Sequence, residues 1–465
     1  MKLLRLAVLL ACLLLILGPF LPMLIPADVT AHDFARSLQL PLLLLAALAL
    51  AADRAPRPGI GRWTMALFAF LALLVSASAI HAAVPVAAWR EIALFAALSA
   101  WSLMVARSFE GANARFWLGA VCLSQLLYGL GYVGLLVASL ANHQPVLLWE
   151  MNFGYDNPRF LNHVQAATLP LLLGIAVQPG ASVAIKAMSR LALVLQLFVL
   201  AASLGRSAML GLVVAAVVVA LVAGRAARRW LAVGAASALL AGLAYGALQS
   251  IDTSVQQASG YTPTTKELTS DHSRQYLWDI ALADARGAPW LGVGPMHFAH
   301  EPNAKAAHPH NHYLQAAAEL GWPALAILMV LVLNGLRVLA VTLRAEKNED
   351  RQAVGCGLLG ACVAIAVDAC FSGNLVMPFS QIWIFSVMGM SIGWRHDGSS
   401  ATTRPVISAL AWSVLRTVFV LAAAWSCWVA YHEIQAPTPR LQTDGARAPS
   451  PTEVPRPRFW SHGWF

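Results

Sequence analysis

Apolar residues in this chain come in unbroken runs and do not alternate with polar ones. Runs fall near residues 3–25, 38–52, 64–82, 88–106, 116–141, 165–183, 191–205, 207–223, 230–249, 317–342, 354–373, 379–394 and 407–431. An α-helix needs about 20 apolar residues to cross a bilayer, because each residue rises about 1.5 Å. Membrane-barrel strands are excluded, since their lipid-facing and lumen-facing positions alternate with period two. The pattern therefore predicts an all-α, polytopic membrane protein with about 12–13 transmembrane helices. The first run, LLRLAVLLACLLLILGPFLPMLI, is longer than a signal-peptide core and lacks a clear A-x-A cleavage site, so it reads as a retained span.

Four regions follow from the runs: an amino-terminal transmembrane bundle (1–249), a long loop (250–316), carboxy-terminal transmembrane helices (317–431) and a tail (432–465). The tail carries Pro437, Pro439, Pro449, Pro451, Pro455 and Pro457, a composition that predicts disorder. Whether 407–431 crosses the membrane decides between thirteen spans with an outer tail and twelve with an inner one.

Composition agrees. Of 465 residues, 59% are hydrophobic and only 11% charged, against about 25% charged in soluble domains, which rules out a soluble reading. The net charge of +9 must first be divided between the two membrane faces before it suggests any acidic partner. With the amino terminus in the cytoplasm, the short outer loops hold four basic residues, Arg36, Arg90, Arg159 and Arg206, and the inner loops seventeen. Lys and Arg near span ends resist translocation, so this bias sets the orientation and places 250–316 on the outer face. Nucleic acid is not an expected partner; membrane lipids are. Cys12, Cys122, Cys356, Cys362, Cys370 and Cys427 all sit in or beside apolar runs and read as small buried hydrophobes.

The long outer loop carries the candidate chemistry. RQYLWDIALADAR places Tyr276, Leu277, Ile280 and Ala281 at helical spacing, predicting an amphipathic helix. A turn follows at Pro289, Gly292, Gly294 and Pro295; without a strand, helix and lysine it is weak evidence for phosphate binding. Then His308, His310 and His312 alternate into the next span. A neutral imidazole can take or deliver a proton, and several can hold a metal; the competing reading is a solvated interfacial patch. No D-x-D motif accompanies them, so a metal is not indicated. Arg206, in ASLGRSAML, has no acidic residue within ten positions, so its counter-charge is a headgroup, a distant side chain or an anionic substrate. Arg159, Asn162, His163 and Gln165 add polar groups to the same face just before a span.

These residues resemble the O-antigen ligase family and its relatives, the O-antigen polymerases and the bacterial protein-glycosylating ligases. The family hallmark is a histidine followed by Asn, Ser or Gln, nine residues, then Gly-x-x-Gly; His310, Asn311 and Gly321 match it, and Ala324 replaces the last glycine. SLGRSAML resembles the family's Ser-rich arginine motif, and Arg274, Trp278, Gly292 and Gly294 match a second arginine segment.

The resemblance implies transfer of an O-antigen from undecaprenyl diphosphate to a sugar of the lipid A core, at the periplasmic face of the bacterial inner membrane, without a cofactor. It further implies Arg206 and Arg274 on the diphosphate, His310 as the base for the acceptor hydroxyl, and Asn311 and His312 orienting base or acceptor, with Trp278, Arg159 and His163 in support. The same fold and donor serve an O-antigen polymerase or a protein O-oligosaccharyltransferase. A secondary transporter is the reading from another class; it calls for charged or broken helices at mid-membrane and a repeat of the spans, and no convincing repeat is found.

Overall fold

The computed structural model describes residues 2–24, 29–53, 61–144, 148, 151–251, 272–300, 303, 305–397, 408–435 and 457–463. Its helices are α1 (Lys2–Leu17), α2 (Ala31–Ala52), α3 (Arg62–His81), α4 (Pro85–Ser108), α5 (Gly111–Ala141), α6 (Pro158–Val177), α7 (Val183–Ala202), α8 (Arg206–Ala223), α9 (Ala227–Ile251), α10 (His272–Gly287), α11 (His312–Ala345), α12 (Glu349–Asp368), α13 (Pro378–Asp397) and α14 (Ala409–Gln435). No strand occurs among the described residues. All but α10 coincide with the apolar runs. Among the described residues, eleven helical stretches are long and apolar enough to cross a membrane, and the chain is a multi-pass membrane protein. The longest stretch, Arg206–Ser250, is folded in two where Gly224 adopts φ 54° between α8 and α9.

Helices α6 and α12 form the centre, with α12 packed along both α6 and α8, while α4 packs along α13 and α14. Small residues permit this closeness. A Cβ at Gly174 would stand 2.7 Å from the Ala353 carbonyl oxygen, and one at Gly211 would stand 2.8 Å from that of Ala364. Where lipid and side chain are equally apolar, such close backbone approach is the main source of helix association. Enclosure on all sides lets α6 carry polar groups: Asn162 donates to Gln165 and Ser203, and Gln165 donates to Gln196.

Helix α14 runs the height of the bundle. Near its start Arg416 donates to the Ala51 and Asp53 carbonyls at the end of α2, and near its finish Glu433 pairs with Arg90 at the start of α4. The last turn of α14 therefore lies at the end of the bundle where α11 begins, the upper end.

The structure corrects the expectation of a disordered tail from residue 432. Helix α14 continues to Gln435, and residues 457–463 are packed into the upper end with Arg458, Phe459 and Trp460 buried. The reason is chemical: proline favours an unfolded tail, but the adjoining aromatic pair and arginine have apolar area and charge to bury. Residues 436–456, and residues 252–271 of the long loop, lie outside the described set.

Candidate active site at the upper end

The loop rejoins the bundle through a broken helix. Within α11, Gly321 takes φ 83° and ψ 166°, and Pro323 two residues later has no N–H for the ladder. The freed groups are met by the glycine turn. Val293 N–H donates to the Ala318 carbonyl (2.9 Å), Gly294 N–H to that of Glu319 (3.0 Å), and Trp322 N–H to that of Pro289 (3.0 Å). A Cβ at Gly321 would lie 2.6 Å from the Trp290 carbonyl, and one at Gly292 would lie 2.2 Å from the Glu319 carbonyl carbon. These glycines of the motif segments thus seat the loop against the break, a structural role in place of phosphate binding.

Helix α10 is amphipathic as expected. Leu277 and Ala281 are buried with Phe298, Ala306 and Ala318, whereas Tyr276 faces outward. On the same side, Trp278 Nε1 donates to the Pro309 carbonyl at 3.1 Å, which holds the histidine stretch against α10. Arg274, half-buried, lies one helical turn before Trp278 and so on the same side of α10.

The three histidines are not equivalent. His308 is buried, and a Cβ on Gly373 would strike its ring at 2.3 Å, so that glycine makes room for the imidazole. Burial, then the neighbouring His310, hold the His308 imidazole well below the usual histidine range, and it is neutral. Its Nδ1 accepts from the His310 N–H at 3.3 Å. The His310 ring meets it edge-on at 4.2 Å between centroids and is only half-buried, on a backbone at φ 52°. A non-glycine residue in the left-handed region is uncommon, and such residues gather at functional sites. His312 Nδ1 is buried with no partner among the described residues. The Asn311 side chain accepts from the Tyr313 and Leu314 N–H groups as the N-cap of α11.

The stretch lands on the end of α12. His312 N–H donates to the Ala369 carbonyl (2.8 Å), and the Tyr313 hydroxyl donates to that of Ala366 (2.9 Å). Beside this landing, Asp368 accepts from His163 Nδ1 (2.9 Å) and the Ser372 hydroxyl (3.0 Å), and Ser207 faces the same carboxylate. His163 is thus buried inside the bundle with its ring nitrogen on the Asp368 carboxylate. Ser207 follows Arg206, which is exposed at the first position of α8. The turn before it is fixed by Leu204 at φ 52° and by Gly205, whose Cβ would lie 2.6 Å from Asn162 Cγ. Arg159 is exposed at the start of α6, whose N-cap is Asn157.

The fold therefore gathers the starts of α6, α8 and α11 and the end of α12 around one carboxylate, and ties α10 to them through Trp278. A cavity lined by His32, Tyr155, Asp156, Met377 and Phe379 lies beside this assembly and includes neither His310 nor Arg206 in its walls. Among the described residues no three His, Cys, Asp or Glu side chains come together as a metal-ligand set.

Sequence reasoning missed several residues here. Asp368 was visible as a carboxylate closing an apolar run, and Glu319 as one beside the hallmark glycine. Arg458 had no signal beyond the aromatic pair that follows it.

No curated protein sequence matches the chain. Residues 191–329, from α7 through Arg206, Arg274 and His310 into α11, match the family model described as O-antigen ligase.

Proposed function

We propose that the protein is an O-antigen ligase of the bacterial inner membrane. It transfers O-antigen polysaccharide from undecaprenyl diphosphate to the lipid A core, with the upper end of the bundle facing the periplasm. The single observation that supports this best is the meeting of the His310 stretch, the Arg206 helix start and α10 at the end of α12. At that face neither ATP nor a nucleotide sugar is at hand, so the donor must bring its own leaving group, and diphosphate is one.

Arg206 and Arg274 bind the diphosphate and stabilise the charge that develops as the glycosidic bond breaks. Arg206 is helped by the positive end of α8. The acceptor hydroxyl attacks the anomeric carbon and gives its proton to His310, a step in which a positioned base contributes about 10²–10⁴-fold. His310 suits this better than His308 because its ring is only half-buried, whereas that of His308 is enclosed, and it is chosen over His312 by its place in the motif.

The test incubates the purified protein with polyprenyl-diphosphate glycan and rough lipopolysaccharide, without nucleotide and with EDTA. Joined product is expected. His310→Ala and Arg206→Ala should abolish it at unchanged protein level and membrane insertion, and near-normal transfer by either would reject that assignment. A polymerase would instead lengthen the lipid-linked glycan, and a protein-directed enzyme would place the glycan on a serine.

A further inference from the structure

Segment 457–463 is held in the upper end by an unusual set of contacts. The Phe459 ring lies between two guanidinium groups, Arg90 at 4.3 Å and Arg36 at 5.0 Å from its centroid. The Phe459 carbonyl accepts from Arg36 Nε at 3.1 Å and lies 3.1 Å from His32 Nε2. Trp460 Nε1 donates to Glu433 (2.6 Å), and the N–H and hydroxyl of Ser461 donate to the two oxygens of Asp33 (2.7 and 2.6 Å).

These anchors fix Arg458, which is 2% exposed. Its Nη2 donates to Glu319 Oε2 at 2.7 Å and to Glu91 Oε1 at 3.2 Å. Its Nε and Nη1 are also buried, and they meet no acceptor among the described residues. Buried donors are almost always satisfied, so two that meet no acceptor among the described residues point to a ligand.

Arg458 stands beside the histidine stretch. Glu319 follows His312 by seven residues, two turns along one face of α11, and Gln315 between them donates to Glu319 at 3.2 Å. The charge of Arg458 reaches both His308 and His297.

We infer that Arg458 belongs to the substrate site and binds the sugar that accepts the glycan, an inference that rests on the glycosyl-transfer reading above. The charge balance selects the ligand. Around the segment, Arg36, Arg90 and Arg458 face Asp33, Glu91, Glu319 and Glu433, three cations against four carboxylates. A diphosphate is repelled by that excess, whereas a neutral polyhydroxyl group is not. Nε–H and Nη1–H lie on different sides of the guanidinium, so each suits a separate sugar oxygen. When one of them binds the oxygen of the reacting hydroxyl, its hydrogen is left for His310. The oxygen then bonds to the anomeric carbon, and the bond from that carbon to the phosphate oxygen breaks with its electron pair leaving on the diphosphate.

The test measures transfer by the purified full-length protein while donor and rough lipopolysaccharide are varied separately. Arg458→Lys keeps a cation for Glu319 and Glu91 but loses the Nε and Nη1 donors. It should raise KM for lipopolysaccharide by about tenfold, the equivalent of one good hydrogen bond, with donor KM and Tm near wild type. The paired change of Arg458→Gln with Glu319→Gln removes both charges together, so it reports the same selective rise should Arg458→Lys fold poorly. A chain ending at residue 456 should lose transfer.

Unchanged acceptor KM in both variants, a rise in donor KM alone, or equal or faster transfer by the shortened chain would each overturn the assignment. The last result would make the segment a plug. Normal wild-type transfer with an unaltered acceptor KM sinks this inference alone, whereas absence of product from the wild type sinks the glycosyl-transfer reading and this inference with it.

Discussion

His163 on α6 and Asp368 on α12 meet at 2.9 Å, Nδ1 to Oδ2, with the carboxylate fully buried. The next residue, Ala369, accepts the His312 N–H, and Ser207 beside Arg206 faces the same carboxylate. One buried pair thus sets the distance between the histidine stretch and the start of α8, the two parts that any transfer at this end must hold in register.

Breaking that pair should be costly. Removing one partner of a buried hydrogen bond leaves the other unsatisfied at a cost of about 1–3 kcal/mol, and more where it is charged. Asp368→Asn and His163→Gln are each expected to lower the melting temperature in detergent and to cut transfer at least about tenfold, since small misplacements of reacting groups have large effects. The double variant should lose less than the two single losses together, as expected for residues in contact. Full additivity in a thermal-shift cycle would show that the two side chains act separately.

The apolar runs located the spanning helices because lipid leaves little alternative: every backbone group must be bonded within a helix, and sequence shows directly which segments are apolar. The amphipathic α10 was legible for the same reason, through Leu277 and Ala281. What could not be read was pairing between distant segments. His163 and Asp368 are 205 residues apart, and Arg458 and Glu319 are 139 apart. Nothing in local spacing encodes such partners. The tail was misread because proline content says nothing of Phe459 and Trp460, whose burial decides the fate of the residues around them.

The broken helix offers a comparison between two glycines. Gly224 and Gly321 both have positive φ, but a Cβ at Gly224 meets nothing within 4 Å, whereas at Gly321 it meets the Trp290 backbone at 2.6 Å. Gly224→Ala should cost about 1–3 kcal/mol, because φ 54° with ψ −115° lies outside the regions open to other residues. Gly321→Ala should cost more and also reduce transfer, because the loop at 289–294 must move away from α11. Thermal shift and transfer assays on both variants decide it; equal losses would mean that the loop does not depend on the break.

Trp278 separates positioning from packing. Trp278→Phe keeps an aromatic ring on α10 but removes the donor to the Pro309 carbonyl. We expect turnover to fall by about tenfold with donor KM nearly unchanged, since the residue holds the stretch that bears His310 and is not placed on the diphosphate. A rise in donor KM with turnover preserved would instead put the indole in contact with the donor.

His308 makes a prediction about pH. Burial holds its folded-state pKa well below the ordinary value, so the folded protein keeps this imidazole neutral where an unfolded chain would protonate it near pH 6.5. Above that pH both states are neutral and the group leaves stability unaffected. Below it the unfolded state binds the extra proton, so stability falls as pH falls, by up to about 1.4 kcal/mol per unit from this one group. The buried His297, also held low chiefly by burial, adds to the same slope. Melting temperature in detergent should therefore decline from pH 6.5 toward pH 5, and His308→Asn should flatten that decline even if it lowers the starting value. A variant whose decline matched the wild type over this range would place the sensitivity elsewhere, and would remove the reason for treating His308 as the enclosed, neutral support on which the His310 ring rests.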